Sequence, residues 1–106
     1  MMKKEWTNKE YDRALLVIRR WLNSRKFETL HQGELGMFLT AEKMDKVLGF
    51  AYTSSGRCAG IFICNTCLYL DKDYKYHIRG FEMDEKDTIY ALCYDTDENE
   101  LLIPIN

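Results

Sequence analysis

Apolar side chains along this chain follow two periods. Tyr11, Ala14, Leu15, Ile18, Trp21 and Leu22 recur at three- and four-residue spacing. They make one face of a helix over about 8–25. Thr7-Asn8-Lys9-Glu10 starts it as a capping box, and Trp6 and Tyr11 have the spacing of a hydrophobic staple. A second helix is expected over about 41–48. Thr40 would be its N-cap, Met44, Val47 and Leu48 its apolar face, and Gly49 its left-handed terminator. Between the two, Phe27 and Leu30 are expected to pack back on the first helix. Gly33 and Gly36 leave 34–39 as a short strand or an irregular loop.

Beyond Gly49 the period becomes two. Phe50–Tyr52 suggests a short strand and Ser54-Ser55-Gly56 a turn. Residues 58–70 form the longest uncharged run, apolar on both alternating faces, which predicts the hub of a sheet covered on both sides. As one strand the run would span about 43 Å, too long for a domain with a radius of gyration of about 13 Å. Asn65-Thr66 is the polar break, so two strands are expected, about 58–64 and 67–70, joined by a two-residue hairpin or a bulge. Tyr74, Tyr76 and Ile78 alternate with Lys75, His77 and Arg79 in a strand over 74–83. Phe81 and Met83 resume on the other parity, which a bulge at Gly80 would reconcile. Residues 88–94 read as a second interior strand. Residues 100–105 read as an edge strand, because Pro104 cannot donate to a ladder.

The expectation is an α+β fold in a single domain, 1–106. Two N-terminal helices pack on a mostly antiparallel sheet of four or five strands. The first helix covers one sheet face and leaves the other partly open.

Composition adds a charge asymmetry. Residues 1–70 carry eleven Lys and Arg against seven Asp and Glu, whereas residues 71–106 carry four against ten. Much of the negative charge falls on two turns that are expected at opposite ends of the strand over 88–94. Asp84, Glu85 and Asp87 lie on one, Asp95, Asp97 and Glu98 on the other. An acidic surface of this kind suits a basic protein partner and speeds its association. An open sheet face bearing Tyr74, Tyr76, Tyr90 and Tyr94 would add contact area, since tyrosine is favoured at interfaces. It could also pair two copies of the chain as a homodimer.

The remaining motifs point elsewhere and more weakly. Lys9, Arg13 and Arg20 make a basic stripe on the first helix, and residues 39–50 resemble the first helix of a helix-turn-helix. Together they define an alternative, a small nucleic-acid-associated regulator. The low net charge of −2 argues against nucleic acid as the main partner. Cys64-Asn65-Thr66-Cys67 has the spacing of half a zinc site, which a hairpin at Asn65-Thr66 would bring together. A zinc-stabilised binding module is therefore a third reading. No second Cys-x-x-Cys completes the site, so no cofactor is expected. No nucleophile–base pair or phosphate-binding glycine loop marks an enzyme. The N-terminus has no apolar signal segment, no run reaches the ~20 apolar residues a membrane helix needs, and cytoplasmic reduced thiols follow. The expected protein is thus a small non-enzymatic interaction module. It would resemble inhibitors, antitoxins or immunity proteins in neutralising a basic partner.

Overall fold

A computed structural model describes residues 2–25, 28–31, 34–38, 47–64, 67–70 and 73–106. One helix, α1 (Asn8–Arg25), precedes eight strands: β1 (Glu28–His31), β2 (Glu34–Phe38), β3 (Leu48–Tyr52), β4 (Cys58–Ile63), β5 (Cys67–Tyr69), β6 (His77–Met83), β7 (Ile89–Tyr94) and β8 (Glu100–Pro104). All strands join one antiparallel sheet. The α+β class holds, with the sheet dominant.

The start of α1 is held as its sequence implies. The Thr7 amide donates to Glu10 Oε1 at 2.9 Å, and the Glu10 amide donates to Thr7 Oγ1 at 3.2 Å. Lys3 adds a tie between elements, donating to both Glu10 and Asp87. Its ammonium is the main reason that the Glu10 carboxyl is lowered to about 2, with the Thr7 amide second. Ala14, Ile18 and Leu22, four residues apart, are buried on the sheet side of the helix. Trp21 meets Phe81 edge-on at 5.9 Å, and the Tyr11 ring lies 5.7 Å from Phe50. Each fully buried Ile or Leu here contributes about 2 kcal/mol.

The hub of the sheet is β6, not the 58–70 run. It pairs with β7 on one edge and with both β4 and β5 on the other. Phe62 faces Gly80 and Leu68 faces Ile78, so the chain advances six residues along one line while β6 advances two. Because β4 and β5 pair with β6 in the same sense and not with each other, the two strands are offset along one edge of β6 with a jog between them, and the hairpin alternative falls away. Asn65 and Thr66 themselves lie outside the described residues. Beyond the jog the sheet forks, with β3 joining β4 and β1 joining β5.

A register shift between Ile78 and Gly80 is the bulge expected in β6. It places Ile78, Phe81 and Met83 on one face with Ile89, Ala91 and Cys93 of β7, and all six are buried against the helix side. Gly80 is tightly enclosed. A Cβ there would lie 2.6 Å from the Ile61 carbonyl oxygen and 3.1 Å from Phe62 Cα. β8 is the edge strand that Pro104 implied, paired to β7 alone.

Two expectations about the middle of the chain change. Residues 41–46 of the expected second helix lie outside the described residues, and Leu48 opens strand β3. Gly49 is not a left-handed helix terminator. It pairs with Phe62, and a Cβ on it would lie 2.4 Å from the Phe62 ring, so its role is to let that ring lie across the neighbouring strand. Phe62 is itself 43% exposed, so the 58–70 run is not covered on both sides.

Gly80→Ala should lower stability in urea unfolding by about 2 kcal/mol or more, because the Cβ meets rigid backbone. Gly60→Ala, whose nearest neighbour would be 3.8 Å away, should change it by less than about 1 kcal/mol. Glu10 gives a pH signature. Its folded pKa lies below the ordinary carboxylate value, so its contribution is fully present above about pH 4.5 and is lost as pH falls toward 2. Glu10→Gln should therefore cost about 1 kcal/mol at pH 7 and close to nothing at pH 2, read from unfolding midpoints at both pH values.

Candidate functional site

The face of the sheet turned away from α1 is built from three rows of facing residues. The first is Glu82, Tyr90 and Pro104. The second is Gly49, Phe62, Gly80, Leu92 and Leu102. The third is His77, Tyr94 and Glu100. Facing side chains in such rows are close enough to touch. Tyr90, Leu92 and Tyr94 are half-buried, while Phe62 at 43% and Leu102 at 40% are exposed apolar groups. In the second row Phe62 has a glycine on either side, Gly49 and Gly80.

The missing side chains leave a shallow trough of about 170 Å³. Ala51, Gly60, Phe62, Arg79, Gly80 and Glu82 are among its lining residues. Small-molecule sites usually enclose about 300–1,000 Å³, so this one has room for a single side chain.

Two of the four expected tyrosines belong to this face. The Tyr90 hydroxyl donates to Asp84 Oδ2 at 3.2 Å, and the Tyr94 hydroxyl donates to Glu100 Oε2 at 2.6 Å. Both phenols are pushed above their ordinary range, first by these carboxylate acceptors and then by desolvation. Arg79 lies 4.0 Å over the Tyr94 ring and donates to both Glu98 oxygens at 2.9 and 3.1 Å. Tyr74 and Tyr76 lie apart from this set, in the segment before β6. Tyr74 is exposed, has φ 55°, and meets Tyr69 edge-on at 4.9 Å. Tyr76 packs against the core with the Lys75 ammonium 5.4 Å over its ring.

The acidic turns do sit at opposite ends of β7, but four of their six carboxylates are committed within the fold, two to their own turns and two to ion pairs. Asp84 Oδ1 accepts from the Lys86 and Thr88 amides, both at 2.9 Å. Asp95 Oδ1 accepts from the Asp97 and Asn99 amides at 2.9 and 2.8 Å. The Thr88 amide is the first reason that the Asp84 carboxyl is lowered, and the Asn99 amide plays that part for Asp95. Asp87 is taken by Lys3 and Glu98 by Arg79. Glu85 and Asp97 alone keep exposed carboxylates without such a role.

Three hairpins close in the same way. Thr53, Asp84 and Asp95 each donate an amide four residues ahead and accept from the residue three ahead. The fourth turn residue then has positive φ, namely Gly56 at 80°, Asp87 at 66° and Glu98 at 63°. Only the first is a glycine, so the two acidic turns hold a carboxylate where a Cβ is unfavourable.

Residues 39–46 of the helix-turn-helix resemblance lie outside the described residues. Arg13 turns from the basic stripe toward the sheet and donates to the Asp87 carbonyl at 2.7 Å, leaving Lys9 and Arg20 exposed on α1. Cys64 is half-buried, with its thiol 3.3 Å from the Val47 carbonyl, and Cys67 is exposed. No group of three or more His, Cys, Asp or Glu able to hold a metal ion occurs among the described residues. No described helix is long and apolar enough to cross a membrane.

Phe62 and Arg79 were not singled out by sequence reasoning. The available signal was the placement of Gly49, Gly60 and Gly80 inside strand-forming sequence, which marks a close approach or an aromatic neighbour. No protein family, curated protein or solved structure matches this chain.

Glu98→Gly should raise stability by about 0.5 kcal/mol, because relief at the left-handed position outweighs one exposed ion pair. Gly56→Ala in the first of these hairpins should lower it by about 1 kcal/mol. Paired thermal melts of the two variants check both signs.

Proposed function

We propose that this protein is a small binding module that engages another protein through the outer face of its sheet, without chemistry of its own. The observation that carries this reading is the uncovered face itself. Phe62, Leu102 and the bodies of Tyr90 and Tyr94 share one surface, while α1 covers the other. Surfaces of aromatic and aliphatic bodies with a polar rim are the usual core of protein–protein interfaces.

The rim favours a basic partner. Glu82, Asp84 and Glu100 make no ion pair with a described residue, and Glu85 and Asp97 extend the negative charge to the two turns. Charge of this kind steers encounter, and the apolar bodies supply the contact. Compared with the expectation from sequence, emphasis moves from the turns to the sheet face, because the turn carboxylates are largely committed within the fold. Neutralising a nucleic-acid-acting protein is the role that best suits such a surface.

The test is affinity capture at low salt followed by mass spectrometry. The expected partner has an isoelectric point above about 9 and elutes as salt rises to about 0.5 M. Phe62→Asp and Leu102→Asp should abolish its capture. Leu16→Asp, on the exposed side of α1, should leave it intact. Capture that survives both sheet-face variants contradicts the reading.

A further inference from the structure

Strand β8 ends the sheet on one side, and no described strand stands beyond it. Bonds near its two ends fix which way its backbone points. The Asp95 amide donates to the Asn99 carbonyl at 3.1 Å, and the Ile105 amide donates to the Ile89 carbonyl at 2.9 Å. Backbone groups of a strand turn alternately to its two sides, and the register of β8 with β7 is regular from Glu100 to Pro104. Leu101, Ile103 and Ile105 therefore bond to β7, while Glu100, Leu102 and Pro104 turn their backbone groups outward. Pro104 fits this order, because the residue without an amide hydrogen stands in the outward row. The free edge thus offers the amides of Glu100 and Leu102 and the carbonyls of Glu100, Leu102 and Pro104.

Such an edge is a template for another strand unless cations, bulges or a covering segment guard it. Residues 100–106 hold no Lys or Arg, and the register with β7 shows no bulge. Leu101 and Leu102 point to opposite faces, and both are open, at 37% and 40% exposure. Pro104 withholds a donor at one end only.

We propose that β8 pairs antiparallel with β8 of a second copy of this chain, with Leu102 on the two-fold axis. Leu102 of each copy exchanges backbone bonds with Leu102 of the other, and the Glu100 amide donates to the Pro104 carbonyl of the other copy. β8 itself meets what its edge asks of an occupant. On one face Leu101 lies opposite Ile103, and on the other Leu102 lies opposite itself, so apolar meets apolar. Pro104 lies opposite Glu100, whose unanswered carbonyl stays in water at the strand end. Charge sets the direction. Asp95, Asp97, Glu98 and Glu100 all lie at the start of β8, so parallel pairing would bring two acidic ends together, whereas antiparallel pairing holds them apart. A five-residue edge is a small interface, which makes the dimer a weak one. The outer faces of the two copies then lie side by side and stay open.

The experiment is sedimentation velocity of the whole protein from about 50 µM to 1 mM, with amide hydrogen exchange read by NMR at both concentrations. A reversible dimer with a dissociation constant of about 0.1–1 mM is expected. By mass action the Glu100 and Leu102 amides should exchange about two- to threefold more slowly at the higher concentration. Leu101, Ile103 and Ile105 should be protected equally at both. Leu102→Pro removes an outward donor and no bond to β7, and Leu101→Lys places a cation at the edge on the inner face. Both variants should stay monomeric, and Phe62→Asp should leave the dimer intact. A monomer at every concentration, a dimer that survives both edge variants, or a dimer lost with Phe62→Asp would each overturn the proposal. Protection of Glu100 and Leu102 only when the captured partner is added would also overturn it, because the edge would then belong to that partner. Leu101→Lys should still capture the partner, so failure of the dimer and failure of the outer-face reading are told apart.

Discussion

The bulge at Arg79 and Gly80 is the constraint on which the rest of this structure depends. Side chains of a strand alternate between faces, so one extra residue exchanges the faces of everything beyond it. Without the bulge, strict alternation from Ile78 would turn Phe81 and Met83 away from α1. With it, Ile78, Phe81 and Met83 all join the buried layer, and Glu82 is left on the outer face. Gly80 makes the bulge possible, because β4 approaches so closely that no side chain fits. The same approach lets β6 hold β4 and β5 on a single edge.

The two faces of the sheet differ as a result. The inner face is continuous with the apolar side of α1 and is closed. The outer face keeps apolar bodies but surrounds them with hydroxyls, carboxylates and one guanidinium, of which Tyr90, Tyr94, Asp84, Glu98, Glu100 and Arg79 are bonded in pairs. Tyr90 and Tyr94 are anchored at their tips by Asp84 and Glu100, so their rings are presented in fixed positions. Preordered aromatic groups lose little entropy on binding. The acidic hairpins frame this surface from both ends of β7, and turn bonds and ion pairs together commit four of their six carboxylates.

Much of this was legible in the chain. The period of Tyr11 to Leu22 and the capping box place α1 at the observed bounds, and Pro104 marks β8 as an edge. The parity change across Gly80 implies the bulge in β6. The segment before β4 was harder, because Met44, Val47 and Leu48 have helical spacing in a run too short to separate helix from strand. Gly49 was misread for a related reason. A glycine after such a run signals a helix end, whereas its actual cause, the Phe62 ring, comes from a residue 13 positions away that pairing brings alongside. The candidate surface was visible in outline only. Alternation assigns Tyr90 and Tyr94 to one face, but the trough is made by small residues, Ala51, Gly60 and Gly80, on three different strands. The turn roles of Asp84 and Asp95 were hidden behind their charge, and left-handed Asp87 and Glu98 carry no glycine to announce them.

The central claim is that the outer sheet face is open in the free protein and is the surface offered to a partner. Carbene footprinting of the free protein, read residue by residue by mass spectrometry, tests it most directly. The account predicts strong labelling of Phe62, Leu102 and Tyr94, and protection of Ile61, Phe81 and Ile89 on the inner face. Protection of Phe62 and Leu102 to the level of Ile61 would contradict it.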